Sequence, residues 1–223
     1  MLTPEFRRAV CFHEAGHAVI YALGGSSVYG LAVAPEGSDS WTYRGRKDTV
    51  IEGAAGVCEP CDHPWLGIYL TWDGSSYRTN RREFNRVHGS MAKSLGPARG
   101  RRFLADIRRF VRRRVCGVLA GPIAEAHYEN REFDVWETKG WVDPGSDVEK
   151  ASGLAQLLPY RREFEHACDV TCDAMRRREI WSRVVALADE LERSGSMCPD
   201  AIAEYLPQPE ASWPPSGAAR WSD

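Results

Sequence analysis

The chain has 223 residues, 43% of them hydrophobic, with 29 basic and 31 acidic side chains and a formal net charge of −2. That length and apolar fraction suit one domain with a sizeable core, and the near-neutral balance excludes a global polyanion-binding character. No apolar run is long enough to span a bilayer, and MLTPEFRRAV lacks the basic-then-apolar order of a signal peptide, so a cytoplasmic chain is expected, its seven cysteines reduced, buried or metal-bound rather than paired.

The first predicted element is a helix. Thr3 is a good N-cap, Pro4 suits the first helical position and Gly24-Gly25 stop it. Phe6, Val10, His13, His17 and Ile20 fall on one inward stripe at helical spacing. Val28 to Ala34, ended by Pro35, reads as a strand, expected at a sheet edge where an extended peptide can add to it. Residues 36–100 are the least legible, with a short helix expected near Val50 to Val57, a strand at Ile68 to Trp72 and a break at Gly96-Pro97. From Arg101 to Glu129 apolar residues recur every three or four positions, and Gly117 and Gly121-Pro122 are expected to kink or split that helix. Asn130 to Gly145 reads as a loop. Ser146-Asp147-Val148-Glu149 has capping-box spacing and opens a helix towards Leu158, broken by Pro159. One long charged helix is expected over Arg161 to Arg193, then a short one over Pro199 to Leu206. Residues 207–223 have the composition of a disordered tail.

The residues that carry chemistry lie in the first helix. His13 and His17, four apart, project from one face, so two imidazole nitrogens can reach one metal ion at roughly 2.0–2.1 Å. Glu14 is rotated by about 100° and can face an open metal position without filling it. There it can act as general base on a water acidified by the metal. Ala15 and Gly16 are small, and Gly16 allows another backbone to pack closely behind. His-Glu-x-x-His on a capped, amphipathic helix points to a zinc site. Asp147, at a helix start, is favoured there by the exposed amides even without a metal, and Glu125 on a second helix is the rival third ligand.

Three segments in order, HEAGHAV (His13 to Val19), GPIAEA (Gly121 to Ala126) and GSDVEKA (Gly145 to Ala151), resemble the peptidase domain of FtsH-type membrane proteases. The short segment from Pro199 to Leu206 is similar to that family's closing helix, and the likeness covers residues 3–35 and about 115–206. It implies a mainly α, α+β, zincin-like domain over 1–206, with residues 36–100 as an insertion and 207–223 as a tail. It further implies zinc held by His13, His17 and Asp147, Glu14 as general base, Glu125 as a buried residue that orients a ligand histidine, and hydrolysis of peptide or protein substrates. The chain departs from the family in having no P-loop motif and no membrane segments, and GGR is replaced by Ala120-Gly121-Pro122. The expectation is therefore an ATP-independent, stand-alone relative; self-assembly, as in that family's peptidase rings, and a separate ATPase partner both stay open.

Three further signals stand outside that site. Cys58 and Cys61, with His63, have the spacing of half a zinc knuckle, which Cys168 and Cys172 could complete as a second, structural zinc site. Cys11 reads as packing. Arg101, Arg102, Arg108, Arg109, Arg112, Arg113 and Arg114 make a basic helical face, expected by default to be solvated and paired with acids, so nucleic acid is not an expected partner. Two alternatives stay open: a metal-binding regulatory module of this fold that does not cut, and a nucleic-acid-associated protein using helix 101–114.

Overall fold

The computed structural model describes residues 2–38, 41–45, 50–60, 64–134 and 145–215. It is mainly helical with small antiparallel sheets and divides into two compact units, Met1–Asp62 with Ala120–Phe133 and Thr171–Trp213, and His63–Leu119 with Asp134–Val170 and Pro214–Asp223. Among the described residues no helix is long and apolar enough to cross a membrane.

In the first unit, Thr3 Oγ1 accepts from Phe6 N and starts α1 (Pro4–Leu23), which ends at Gly24, with Gly25 at φ +81° where a side chain would be strained. From Ala9 onward α1 is buried almost all round, His13 excepted. Burial of Ile20 or Leu23, each at most 1% exposed, contributes about 1.5–3 kcal/mol. Phe6, expected on the inward stripe, is 51% exposed, because the helix start projects beyond the core. Strand β1 (Val28–Val33) is confirmed but lies in the middle of its sheet, not at the edge. It pairs with β4 (Gly56–Pro60) through Val33↔Gly56, Ala32↔Val57 and Leu31↔Cys58. On its other side Leu31 and Ala32 pair with β7 (Ser196–Met197). The short helix expected near Val50 is absent. Val50–Glu52 forms β3, paired with β2 (Thr42–Arg44), and β4 follows, because β-branched Val50 and Ile51 favour extended backbone and Gly53 turns at φ +74°.

The long helix expected over 161–193 is two: α5 (Glu163–Arg176) and α6 (Arg178–Ser194), broken at Arg177, whose ψ of 123° is extended. No Gly or Pro marks the break. Arg177 instead reaches Glu179 and Glu210, at 2.7 and 2.5 Å. α6 packs on α1: Arg7 donates to Ala34 O and Glu192 O, and Arg8 pairs with Asp189 and Glu192. Gly195 closes α6 at φ +73°, and α7 (Pro199–Ala203) follows β7. The prediction of a disordered tail fails for 207–215. Glu210 N donates to Leu23 O, and Trp213 is 5% exposed; burial of that large ring outweighs the polar composition around it.

The second unit holds a 3₁₀ turn (Pro64–Ile68), the hairpin β5 (Leu70–Trp72) with β6 (Tyr77–Thr79), and α2 (Arg81–Ser94), a helix that the sequence reading missed. Asn80 Oδ1 caps α2 by accepting from Glu83 N, while Phe84, His88 and Ala92 bury one face. Gly100, in α3 (Pro97–Tyr128), sits where a Cβ would collide with the carbonyl of Ala92. α3 runs unbroken through Gly117 and Pro122, so the expected split does not occur. Proline forfeits one helical hydrogen bond, and Val118, Leu119, Ile123 and Ala124 on either side are all buried. α4 (Asp147–Ala155) begins as expected, Ser146 Oγ accepting from Glu149 N. Glu149 reaches back to Gly145 N and across to Tyr77 N, tying the helix start to β6. Arg112 of α3 and Glu163 of α5 make a two-pronged pair at 2.8 and 2.6 Å.

Candidate metal centre

The core of the site is built within the first unit by α1 and the last turns of α3. Gly16 lets the two helices touch: a Cβ there would lie 2.5 Å from Ala124 Cβ and 2.6 Å from Ala120 O. The role expected of Gly16 is therefore met, and its partners are small residues of the Gly121 segment. One turn earlier on α1, His13 sits beside Gly121, and His17 lies on the same side. Their ring centroids are 4.7 Å apart with planes at 79°.

The two rings converge. A Cβ added to Gly121 would lie within 2.5 Å of both Nε2 atoms, so the nitrogens face a single small space that exists because residue 121 has no side chain. His13 Nδ1 donates to Glu125 Oε2 at 2.9 Å, which fixes that proton on Nδ1 and leaves the Nε2 lone pair facing the space. Glu125 thus acts on a histidine, as an orienting group rather than a third ligand. Tyr21 lies roughly parallel to His17, with centroids 6.2 Å apart.

Glu14 is 7% exposed and points at β4, where a Cβ on Gly56 would lie 2.7 Å from Glu14 Oε1. Two glycines, 56 and 121, therefore make the room that the motif needs. In the sequence neither stands out as a site residue: Gly121 reads as a kink and Gly56 as part of a helix. A glycine followed by proline inside an otherwise apolar helix was the available signal for the first; nothing local marked the second. Cys11 is fully buried, which pushes its thiol up to about 12 and keeps it protonated, as its reading as packing requires.

Asp147 occupies the first turn of α4, after its Ser146 cap. Burial and the neighbouring Asp147 and Glu149 carboxylates push the Tyr77 hydroxyl pKa up. Among the described residues, His13, His17 and Asp147 are the one candidate group of three metal-ligating side chains. Two imidazoles and a carboxylate suit zinc: three protein ligands leave a fourth position open, as a catalytic rather than a structural site requires.

Among the described residues, the other candidates do not join this group. Cys58 lies on β4 and Cys168 is buried in α5 with Cys172 four residues on, while Cys61 and His63 lie outside the described residues. No second metal cluster occurs among the described residues. An open groove of about 630 Å³ lined by Tyr29, Leu31, Tyr43, Glu59 and Met197 includes neither histidine nor Glu14. No protein-family model and no curated protein matches the chain.

Proposed function

We propose that the chain is an ATP-independent zinc metallopeptidase, a zincin-like relative of the FtsH-type peptidase domain. The observation that carries this reading is the convergence of His13 and His17 Nε2 on one space beside Gly121, with Glu125 holding the far nitrogen of His13. His13, His17 and Asp147 hold the metal. Zinc bound there supplies Lewis acidity, which lowers the pKa of water and polarises a carbonyl.

The chain's own residues handle the protons. Glu14 accepts one at its carboxylate from the water that attacks the peptide carbonyl carbon. It then returns that proton to the amide nitrogen as the C–N bond breaks. A glutamate is not needed to hold metal at a purely structural site, so its presence between the histidines favours an enzyme over a silent binding module. Glu125 keeps His13 in the tautomer that can ligate.

The test is metal removal and return. Dialysis against a chelator is expected to abolish hydrolysis of a fluorescent casein, and about one equivalent of zinc per chain to restore it. Cleavage that survives complete zinc removal, or that zinc fails to restore in protein that is still folded by circular dichroism, contradicts the reading.

A further inference from the structure

The arginine-rich half of α3 lies in the second unit and plays no part in the proposed chemistry. Residues 64–119 carry thirteen arginines and lysines against three acids, in a chain whose net charge is −2. The expectation of pairing with acids is met at Arg112, which Glu163 holds with two prongs, and Arg114 is buried. Arg101, Arg102, Arg108 and Arg109 are exposed and make no ion pair among the described residues. Arg113 shows the same crowding: burial and repulsion from Arg109 lower its pKa.

The helical period sorts these four into two rows. Arg101 and Arg108 lie near one line, Arg102 and Arg109 near another about 90° round the axis, each pair about 10 Å apart along it. Between the rows the exposed residues are Ala98 and Ala105. Like charges held side by side destabilise an isolated helix, so an arrangement of this kind is expected to meet a countercharge.

We infer that this face of α3 docks duplex DNA without reading its sequence. A helix about 10–12 Å across enters a major groove about 12 Å wide, and two guanidinium rows flanking an alanine ridge then meet the phosphates of its two walls. Alanines offer no hydrogen bonds to base edges, so the contacts carry no sequence preference. A membrane-surface helix would instead interleave large apolar side chains with the basic ones, and this ridge has none.

The test uses the full chain and a fluorescent duplex of about 20 base pairs followed by anisotropy as salt is raised. The expected slope of log K against log salt is near −3.6, about −0.9 for each of four phosphates, or about a hundredfold loss of affinity between about 50 and about 200 mM. The variant with Arg101, Arg102, Arg108 and Arg109 all changed to Gln is expected to lose binding at least about tenfold at the lower salt and to flatten the slope. Its circular dichroism and casein cleavage should be unchanged. Absence of binding by the wild type, equal binding by the variant, dependence on base sequence, or tighter binding to phosphatidylserine vesicles than to the duplex would each overturn the inference.

Discussion

Gly121→Ala is expected to leave the protein folded while stripping it of zinc. The added methyl would sit within 2.5 Å of both Nε2 atoms, in the space the metal is proposed to occupy. His13 cannot swing aside without breaking its hydrogen bond to Glu125. His17 is 6% exposed and has little room to retreat. Loss of a supporting residue around a metal typically costs 10–100-fold in affinity; blocking two ligands at once is expected to exceed about 100-fold. In the metal-free fold the clash with the two rings, a cost of about 1–3 kcal/mol, outweighs the roughly 1 kcal/mol by which alanine is favoured over glycine inside a helix. Thermal melts in chelator should therefore show a cooperative transition slightly below that of the wild type, while metal mass spectrometry after zinc dialysis finds the variant empty. Stoichiometric zinc in the variant would mean that the space beside residue 121 is not the metal position.

Glu14→Gln should separate binding from catalysis. Glutamine keeps the shape that fits against Gly56, so the fold and the metal are expected to survive. The carboxamide cannot accept a proton from water. Removal of a general base costs about 10² to 10⁴ in rate. The loss is expected in kcat, with KM little changed, because Glu14 is proposed to act in the chemical step and not in holding substrate. Steady-state cleavage of a quenched peptide by both proteins, at matched zinc content, measures this. Equal kcat values would leave the site as a metal-binding module without chemistry.

The legible parts of this protein are those whose signals are local. Thr3, Pro4 and Gly24 bound α1 within one stretch of sequence, and the spacing of His13 and His17 follows from the helical period alone. Ser146 and Glu149 likewise mark the start of α4. What failed depends on distant partners. β1 reads as an edge until β7, about 165 residues later, pairs with Leu31 and Ala32. The break at Arg177 carries no helix-breaking residue and is tied by Glu210, from a segment whose composition predicts disorder. Gly53 and Gly56 lie in a stretch that reads as helical, whereas the strands they separate and end are fixed by pairing to Thr42–Arg44 and to β1. In the candidate site the same division holds. The histidines announce themselves, while Gly121 acquires its meaning only when α3 passes α1 closely enough for Gly16 to touch Ala120 and Ala124.

Everything in the functional account rests on which atoms hold the ion, and X-ray absorption at the zinc edge of the loaded wild-type protein reads those atoms directly. Two imidazoles plus oxygen ligands predict a nitrogen and oxygen shell at roughly 2.0–2.1 Å, outer-shell scattering for about two histidine rings and no sulfur at about 2.3 Å. A sulfur shell would move the zinc to the cysteines, and no retained zinc at all would remove the site; either result contradicts the peptidase reading.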